Sequence, residues 1–557
     1  MEITGSQIVI ECLKEQGVDT IFGYPGGAVL PLYEALYQNQ DSIHHILVSH
    51  EQGAAHAADG YARSTGKIGV CFATSGPGAT NLVTGIATAY MDSVPLIAVT
   101  GNVSTSMLGR DSFQEVSITN ITMPITKHGF IVRDIKELAD DFRQAFYIAQ
   151  EGRPGPVIID IPKDVMTGRW WFEPIEPEPI EPVVSRLKDT QLEKAAKMLS
   201  LAEKPILFIG GGVIRANASS ELREFADQID APVVSSLMGM GAFPSSNSRY
   251  CGMLGMHGSQ VANTIVNQCD LLIAVGVRFS DRVIGKASMF ANHAKILQID
   301  VDPAEFGKNV PSNLSVIGDV KPILTKLKGL LSGEKLDHAV WMDQVKKMKE
   351  QHPINAAMES KRAREIIEAV ESCCSPEETF VTTDVGQHQM WAAQYLHHEY
   401  PRHFITSGGL GTMGFGVGAS VGTQIGNPGK QVICITGDGS FRMNCNELGT
   451  IARYQLPIVI LLFDNHVLGM VREWQTLFYD KHYSATTLDT PVDWVKLAEA
   501  YGLNGMRLGL KDDAKEIIRK AVEMHKPVVV DCEIPPDDKV YPIIPPGSPS
   551  IDMMGIK

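Results

Sequence analysis

The sequence predicts an α/β protein with three doubly wound parallel-sheet domains. Short runs of aliphatic and β-branched residues alternate with helix-length segments along the chain, and several of these runs end in glycine-rich turns. The alternation falls into three blocks, which are separated by an acidic stretch with alternating prolines and by a charged amphipathic segment. The predicted boundaries are 1–172 for the first domain, 173–186 for a linker, 187–340 for the middle domain, 341–360 for a linker helix and 361–557 for the third domain.

Length and composition limit the function classes. A chain of 557 residues, of which 44% are hydrophobic, can form several buried cores. The net charge of −15 and the lack of a long basic run argue against nucleic acid and anionic membranes as partners. The longest apolar runs are strand-sized, so no transmembrane helix is expected.

The cysteine pattern and the N-terminus bear on location. Nine cysteines without a C-x-x-C pair are typical of a reducing compartment. The N-terminus lacks the basic segment and apolar core of a secretory signal. Thr4 and Gln7 instead form a possible capping box at the start of a helix. We therefore expect a cytoplasmic protein, or an organellar one if a transit peptide has been removed.

The first block contains strand candidates that end in polar or glycine-rich turns. These candidates are residues 20–22, 45–49, 68–73, 96–100 and 157–161. Glu51 follows the second candidate and opens a helix-length segment, so its carboxylate is expected at a sheet edge. Taken alone, this carboxylate need only complement the helix dipole. Gly76 and Gly78 indicate either a close backbone approach to a ligand or a simple strand-to-helix turn.

The middle block has the same alternation but weaker ligand signals. Its strand candidates are residues 205–209, 233–235, 271–275, 296–299 and 315–317. The first candidate ends at three consecutive glycines, which do not make a G-x-G-x-x-G spacing, so this run alone is a weak dinucleotide signal. Residues 335–358 are charged and amphipathic, which predicts a surface helix that links domains.

In the third block, a strand–helix–strand unit carries polar residues at both strand ends. The strand candidates, residues 432–435 and 458–463, lead to Asp438 and Asn465. Asn465 lies 27 positions after Asp438, about one crossover, so the two side chains should meet at the carboxyl edge of a parallel sheet. A carboxylate, an amide oxygen and backbone carbonyls suit Mg²⁺ bound to a diphosphate. The alternative is a tight Asp-Gly turn beside a capping Asn.

Two further segments of the third block point to a ligand. Residues 382–394 follow a strand and include His388, which could donate to phosphate in its neutral form or be an ordinary loop histidine. Residues 407–420 hold more glycine than an ordinary helix interior tolerates, since each costs about 1 kcal/mol there. This stretch predicts a backbone packed on a ligand.

Asp438 between two glycines, followed by Asn465, resembles the thiamine diphosphate (ThDP) motif. Residues 468–479 resemble the catalytic subunits of acetohydroxyacid synthases, and the resemblance extends in order over essentially the whole chain. It implies the ThDP-enzyme fold, with a pyrimidine-binding first domain, a central FAD-binding domain and a diphosphate-binding third domain. The implied cofactors are ThDP, Mg²⁺ and FAD.

For the ThDP site, the resemblance implies that Glu51 bonds N1′ of the aminopyrimidine and relays a proton. Gln114 would lie near the reacting carbon; the alternative is a solvated amide in a loop. Lys163 would lie at the substrate entrance; the alternative is a solvated surface pair with the Asp that follows it. The metal ligands would be Asp438, Asn465 and Val467. The other ThDP-binding residues would be Pro25, Gly26, Asn81, Val385, Gly386, Gln387, His388, Gly411, Met413, Gly437, Gly439, Ser440, Leu468, Gly469 and Met470.

Residues 253–263, 276–286 and 299–305 resemble FAD-binding segments of biosynthetic acetohydroxyacid synthases, which the flavin-free catabolic enzymes do not share. The implied role of the flavin is structural. Arg278 and Asp281 could instead form an ordinary ion pair. The FAD-binding residues would be Arg153, Gly210, Gly211, Gly212, Leu254, Gly255, Met256, His257, Gly276, Val277, Arg278, Arg282, Asp300, Val301, Gly318 and Asp319.

The resemblance implies acetolactate synthase activity in the biosynthesis of valine, leucine and isoleucine. Pyruvate would lose CO₂ on ThDP, and the hydroxyethyl carbanion would add to a second pyruvate or to 2-ketobutyrate. The products would be 2-acetolactate and 2-aceto-2-hydroxybutyrate. The substrate contacts would be Arg282, Met470 and Trp474, with the indole of Trp474 packed on the extra methyl group of 2-ketobutyrate. A core tryptophan is the alternative.

The resemblance also implies partners. The cofactor of the family bridges the first domain of one subunit and the third domain of another, so a homodimer or homotetramer is expected, with a separate small regulatory subunit. Two other functions stay open. One is a pyruvate oxidase-like ThDP and FAD enzyme, which would reduce its flavin. The other is a nucleotide-binding regulatory protein with an inactive ThDP site. Glu51 argues against a glyoxylate carboligase.

The chain departs from the family pattern in several places. Residues 102–106 and Arg110 differ at the channel loop, which bears on the response to inhibitors rather than on the chemistry. Ser280 stands where Asp is common, and Asp464 and Glu473 stand where Asn and Gln are usual.

Overall fold

The computed structural model describes residues 1–184, 187–332, 335–353 and 360–556. These residues form three six-stranded parallel sheets with helices packed against them, which confirms the predicted α/β fold class. The end of the predicted linker, residues 185–186, and residues 354–359 of the predicted linker helix lie outside this described part. The described linker residues 173–184 contain no helix or strand, as their alternating prolines predict.

The first domain has a sheet of strand order β3-β2-β4-β5-β7-β6 and a separate antiparallel pair, β1 with β8. Its strands are β1 (Glu2–Thr4), β2 (Thr20–Gly23), β3 (His44–Leu47), β4 (Gly69–Ala73), β5 (Leu96–Asn102), β6 (His128–Ile131), β7 (Pro156–Pro162) and β8 (Arg169–Trp171). Its helices are α1 (Gly5–Glu15), α2 (Leu30–Tyr37), α3 (Glu51–Thr65), α4 (Pro77–Asn81), α5 (Val83–Met91), α6 (Ile118–Thr122), α7 (Leu138–Gln150) and α8 (Lys163–Thr167). The capping box of Thr4 and Gln7 opens α1, as predicted.

The middle domain has the strand order β11-β10-β9-β12-β13-β14, which reverses between β9 and β12. Its strands are β9 (Pro205–Ile209), β10 (Val233–Ser235), β11 (Tyr250–Met253), β12 (Leu271–Val275), β13 (Lys295–Asp300) and β14 (Leu314–Ile317). Its helices are α9 (Asp189–Ser200), α10 (Gly211–Arg215), α11 (Ser219–Gln228), α12 (Gln260–Val266), α13 (Asp281–Ile284), α14 (Val320–Leu330) and α15 (Ala339–Gln351). Open sheets with this order bind dinucleotides at the point of reversal.

The helix α15 differs in extent and in packing from the predicted linker helix. It was expected over residues 341–360 on the surface, but it spans Ala339–Gln351 and packs on the middle domain. Trp341 and Val345 are buried in the core of that domain, and the indole Nε1 of Trp341 donates to the carbonyl of Pro205 at 3.1 Å. These two apolar side chains lie four residues apart, so they form a stripe that outweighs the charged residues around them.

The third domain has the strand order β16-β15-β17-β18-β20-β19. Its strands are β15 (Thr379–Thr383), β16 (Phe404–Ile405), β17 (Gln431–Gly437), β18 (Ile458–Asp464), β19 (Asn504–Leu508) and β20 (Val528–Glu533). Its helices are α16 (Lys361–Cys373), α17 (Gln387–Tyr395), α18 (Phe415–Gly426), α19 (Asp438–Asn444), α20 (Leu448–Tyr454), α21 (Gly469–Phe478), α22 (Trp494–Ala500) and α23 (Ala514–Glu523). In chain order, the six strands of this sheet are arranged as in the first domain.

The glycine-rich stretch 407–420 has two structural roles. Its first half is a loop, but its second half belongs to the helix α18, which packs on α3 of the first domain. A Cβ atom on Gly422 of α18 would lie 1.7 Å from the carbonyl oxygen of Ala57, and one on Gly60 of α3 would lie 2.2 Å from that of Ala419. The helical glycines therefore allow the two helices to cross closely. The predicted contact with a ligand can involve only the loop at the start of this stretch.

Within the described residues, no helix combines the length and the apolar character needed to cross a membrane. The nine cysteines are free thiols.

Candidate active site

The predicted metal site lies where two neighbouring strands of the third sheet end. Strands β17 and β18 are parallel partners, so Asp438 and Asn465 lie at the same edge. The carboxylate of Asp438 is buried, and its Oδ1 atom accepts the backbone N–H of Gly439 at 3.0 Å. Its Oδ2 atom has no hydrogen-bond partner among the described residues. The Oδ1 atom of Asn465 accepts the backbone N–H of Val467 at 3.2 Å. An orphaned carboxylate oxygen beside an amide oxygen fits a small hard cation such as Mg²⁺.

The charges at this edge favour a cation. Burial, together with the nearby carboxylate of Asp464, raises the pKa of Asp438, because two buried carboxylates are not both charged at little cost unless a cation lies beside them. Asp464 is buried as well, and its Oδ2 atom accepts the indole N–H of Trp494 at 3.0 Å. His466 follows with a positive φ of 57°, and its Nδ1 atom lies 3.1 Å from Oδ1 of Asp464.

A small cavity beside Asp438 collects most of the residues predicted to bind diphosphate. Its lining includes Val385, Gly386, Gln387, His388, Met413, Gly437, Gly439, Ser440, Leu468, Gly469 and Met470. Burial lowers the pKa of His388 to about 3, so the imidazole is neutral. Its Nε2 atom has no hydrogen-bond partner among the described residues, which suits a neutral donor to phosphate. Among the ThDP-binding residues predicted in the third domain, Gly411 lies outside this lining and lines a second, larger cavity.

The predicted proton relay lies at the edge of the first sheet. Glu51 is the first residue of α3 and is buried, and its Oε2 atom accepts the side-chain N–H of Asn81 at 2.9 Å. A Cβ atom on Gly78 would lie 3.1 Å from Oε1 of Glu51, so a side chain at that position would crowd the carboxylate. Gln114 lies beside Gly76, where an added Cβ atom would come within 2.8 Å of the carbonyl oxygen of Gln114. The φ angle of Gln114 is 58°.

Three more predicted residues lie in the first domain. Gly26 packs on Thr74, where a Cβ atom would come within 2.5 Å of the threonine side chain, and Pro25 precedes it. Lys163 begins α8 and is exposed.

Glu447 fixes the backbone that leads into Glu51, and it was not predicted from the sequence. This buried carboxylate of the third domain accepts the backbone N–H groups of Ser49 at 3.2 Å and His50 at 3.0 Å, directly before Glu51. It also accepts the hydroxyl of Thr450 at 2.6 Å. The contacts join residues almost 400 positions apart, so no local sequence pattern could have indicated them.

Within one chain, the two halves of the predicted site line different surfaces. The cavity around Asp438 is lined entirely by third-domain residues, and Glu51, Asn81, Gln114 and Lys163 line none of the cavities described here.

A cavity of about 1230 Å³ lies between the three domains, where the strand order of the middle sheet reverses. Fourteen of the sixteen residues predicted to bind FAD line it: Arg153, Gly210, Gly211, Gly212, Leu254, Met256, His257, Gly276, Val277, Arg278, Arg282, Asp300, Val301 and Asp319. The other two, Gly255 and Gly318, have positive φ angles of 116° and 146° and shape turns next to the lining. A cavity of this size and position fits a dinucleotide.

The charged side chains of this cavity are only partly paired. Arg278 is 4.0 Å from Asp92 rather than paired with Asp281, which corrects the ion pair considered from sequence. Asp281 instead lies 3.7 Å from the exposed guanidinium of Arg282. Arg153 is held by Asp302 and Glu305 at 3.1 and 2.9 Å, so its charge is already balanced.

Two more groups bear on the cavity. Burial raises the pKa of Asp300 to about 6. Asp92 accepts the backbone N–H groups of Gly408 and Gly409 at 3.1 and 2.8 Å, so a first-domain carboxylate fixes a third-domain loop of the lining.

Met470 and Trp474 both line the large cavity from α21, so they share one face of that helix, as their spacing predicts. Trp474 is half-buried rather than part of a core, and its Nε1 atom has no hydrogen-bond partner among the described residues. The guanidinium carbon of Arg282 lies 5.5 Å from the centre of the indole ring. The three predicted substrate contacts are therefore brought together.

Three family models and several curated relatives match the chain. Residues 3–121 match the N-terminal TPP binding domain of thiamine pyrophosphate enzymes, residues 192–327 the central domain and residues 384–532 the C-terminal TPP binding domain. The acetolactate synthase isozyme 2 large subunit of Escherichia coli (strain K12) is 44% identical, and the alignment covers 99% of each chain. The acetolactate synthase large subunit of Cyanidium caldarium is 45% identical over 99% of this chain and 97% of its own length. The probable acetolactate synthase large subunit of Methanocaldococcus jannaschii is 46% identical over 98% and 94%.

Proposed function

Because this chain belongs to the acetolactate synthase large subunits of the thiamine pyrophosphate enzyme family, we propose that it joins the two-carbon fragment of pyruvate to a second 2-keto acid. One pyruvate loses CO₂, and its remaining fragment forms a carbon–carbon bond to the carbonyl carbon of the acceptor. ThDP supplies the electron sink that makes the decarboxylation possible. The observation that carries the proposal is the orphaned Asp438 carboxylate beside Asn465 and a glycine-lined cavity.

In this proposal, Asp438, Asn465 and the backbone carbonyl of Val467 hold Mg²⁺. The support is the hard oxygen donor set and the buried carboxylate with a free Oδ2 atom. His388 donates to the diphosphate as a neutral imidazole, which its strongly lowered pKa favours. Gly437 and Gly439 let the backbone approach the phosphate oxygens.

Glu51 holds a proton at N1′ of the aminopyrimidine. Its burial, its bond from Asn81 and its position at a sheet edge support this role. Gln114 lies on the same edge, so its amide can bond a reacting oxygen, and the exposed Lys163 faces incoming 2-keto acids.

FAD occupies the large cavity and has a structural role. Support comes from the reversal of strand order beside Gly210 and Gly276, and from the volume of the cavity. Arg278 is the cation best placed for the pyrophosphate, because its distance to Asp92 is long for an ion pair and leaves it capacity to bind an anion.

The enzyme works as a homodimer or a homotetramer of catalytic chains, because Glu51 and Asp438 of one chain line no common cavity. A separate small regulatory subunit is proposed because the relatives are named as large subunits. The free cysteines suit a cytoplasmic location.

The acceptor pocket takes pyruvate and 2-ketobutyrate. Arg282 can pair with the substrate carboxylate, because its partner Asp281 is distant and exposed. Met470 and Trp474 offer an apolar wall to the extra methyl group of 2-ketobutyrate. Both products serve the biosynthesis of branched-chain amino acids.

The test is an assay of purified protein with pyruvate, ThDP, Mg²⁺ and FAD, in which acetolactate and the flavin spectrum are followed together. We expect acetolactate without bleaching of the flavin. Bleaching during turnover, with acetate or acetyl phosphate as product, would favour a pyruvate oxidase instead. No product from pyruvate would favour a binding protein with an inactive ThDP site.

A further inference from the structure

The end of the third sheet holds a second buried carboxylate beside Asp438. Gly437 and Phe463 are register partners on β17 and β18, so the next residues, Asp438 and Asp464, lie side by side. Oxygen atoms of both carboxylates and a ring nitrogen of His466 lie within 4.8 Å of one another. Asp438 is 2% exposed and Asp464 is 5% exposed, so water does little to screen one carboxylate from the other.

The hydrogen bonds at these carboxylates do not balance two charges. Oδ2 of Asp464 accepts the indole N–H of Trp494, and its Oδ1 accepts the backbone N–H of His466 at 3.3 Å. Asp438 accepts only the backbone N–H of Gly439 through Oδ1, while its Oδ2 is buried without a partner among the described residues. These donors are an indole N–H and backbone N–H groups, which carry no formal charge.

The nearby Arg442 forms no ion pair with either carboxylate among the described residues, although its charge acts on Asp438 from a distance. Arg442 donates to the carbonyl of Thr490, and its guanidinium lies 5.4 Å from the ring centre of Trp494. Asp531 on β20 adds a further half-buried carboxylate on the far side of Asp464. Two neighbouring buried carboxylates repel each other unless a cation or a proton lies between them.

We propose that Asp464 is a second carboxylate of the Mg²⁺ site, so that the bound ion faces two negative side chains, Asp438 and Asp464. His466 lies at the outer rim of the site and keeps its ring against Asp464. The inference rests on the proposed function, because it takes the Mg²⁺ site from it. Its consequence is a tighter divalent cation site than one carboxylate and one amide would provide, whereas in the metal-free protein the two buried carboxylates gain nothing from each other.

The test is the change Asp464→Asn, because the amide keeps the shape of the side chain and its oxygen can still accept the N–H of Trp494. Thermal unfolding is followed while Mg²⁺ is added to the full-length protein in the presence of ThDP. We expect the Mg²⁺ concentration that gives half of the stabilisation to rise by about tenfold or more. In the absence of metal, the variant should unfold at an equal or higher temperature than the parent. A purely structural role predicts the same loss of stability with and without Mg²⁺.

Two companion variants make the outcomes distinct. Asp531→Asn removes a nearby carboxylate outside the cluster and should leave the Mg²⁺ dependence unchanged. Asp438→Asn should abolish it. Unchanged Mg²⁺ dependence in Asp464→Asn alone overturns this inference and leaves the proposed function intact, whereas unchanged dependence in Asp438→Asn refutes the proposed metal site itself. If Asp464→Asn does not fold, Asp464→Ser removes the charge without added volume. The Mg²⁺ dependence of its thermal unfolding is then compared with that of the parent in the same way.

Discussion

At the scale of single residues, Glu51 has the environment that a proton relay needs. It is buried at the start of α3 and is oriented by Asn81. The change Glu51→Gln keeps the shape but removes the carboxylate, so we expect the rate of acetolactate formation to fall by about 10²–10⁴. Exchange of the C2 proton of bound ThDP, followed by NMR, should slow as well, while ThDP binding persists. An exchange rate equal to that of the parent would reduce Glu51 to a carboxylate that complements the helix dipole.

We predict that Trp474 distinguishes the two acceptors, pyruvate and 2-ketobutyrate. Because its indole lines the cavity beside Met470, Trp474→Leu should leave acetolactate formation largely intact and remove the preference for 2-ketobutyrate. One methylene contact is worth about 1–3 kcal/mol, so the product ratio should change by about 10- to 200-fold. The measurement is the ratio of the two products when both keto acids compete. Trp171→Leu is the control, since Trp171 is 70% exposed on β8, and a ratio that stays at the parent value in both variants would exclude Trp474 from the pocket.

Asp160 makes the first domain sensitive to pH. Burial raises the pKa of this carboxyl from 3.8 to about 7, although Thr100 donates to it at 2.7 Å. Between these values the folded state holds a proton that the unfolded state has released, so stability should fall as the pH rises from about 4 to about 7. The variant Asp160→Asn has no carboxyl to titrate, so its stability should not show this fall with pH. The free energy of unfolding of the variant minus that of the parent should therefore rise between pH 4 and pH 7, by up to a few kcal/mol. Urea titrations at several pH values measure this difference, and a value independent of pH would contradict the raised pKa.

At the scale of elements, the crossing of α3 and α18 depends on glycine. A methyl group at Gly422 would overlap the carbonyl of Ala57, so Gly422→Ala should cost several kcal/mol or prevent folding. The matched control is Gly329→Ala in α14, where nothing lies within 4 Å of the added carbon. That control should be neutral or stabilise the protein by up to about 1 kcal/mol. Chemical denaturation of both variants compares the two, and equal stabilities would show that the helices separate at little cost.

The elements also show what sequence can and cannot predict. Most strands in the sheet interiors could be predicted because they are continuous apolar runs. The interior strand β20 was missed, as were the edge strands β6, β11, β16 and β19. Three of these four edge strands are short or partly exposed, so their apolar pattern is weak. For the site, the ends of β17 and β18 could be predicted, since strand pairing alone brings Asp438 and Asn465 together.

Other features of the site depend on packing between distant segments. The bonds from Ser49 and His50 to Glu447 and the burial of Trp341 are of this kind. No spacing rule in the sequence encodes them. The family resemblance supplied the remaining roles, and these stay predictions until they are tested.

At the scale of the whole molecule, a site built across two chains can be tested by complementation. Glu51→Gln and Asp438→Ala should each be nearly inactive alone. When the two are co-expressed, half of the dimers are mixed, and each mixed dimer has one site with both native residues. We expect about a quarter of the parent activity. Chain-autonomous sites would give no recovery, and two differently tagged copies of Glu51→Gln are the control for assembly itself.

The matching strand orders of the first and third sheets have a consequence for the history of the chain. The helices that cross at Gly60 and Gly422 each follow the second strand of their own sheet in chain order, so the two domains meet through equivalent surfaces. This is the arrangement of a symmetric pair of identical ancestral domains whose genes became fused. We infer that each copy could then change alone, so that the first domain carries Glu51 and the third carries Asp438. The middle domain, with its different strand order, is not part of this symmetric pair.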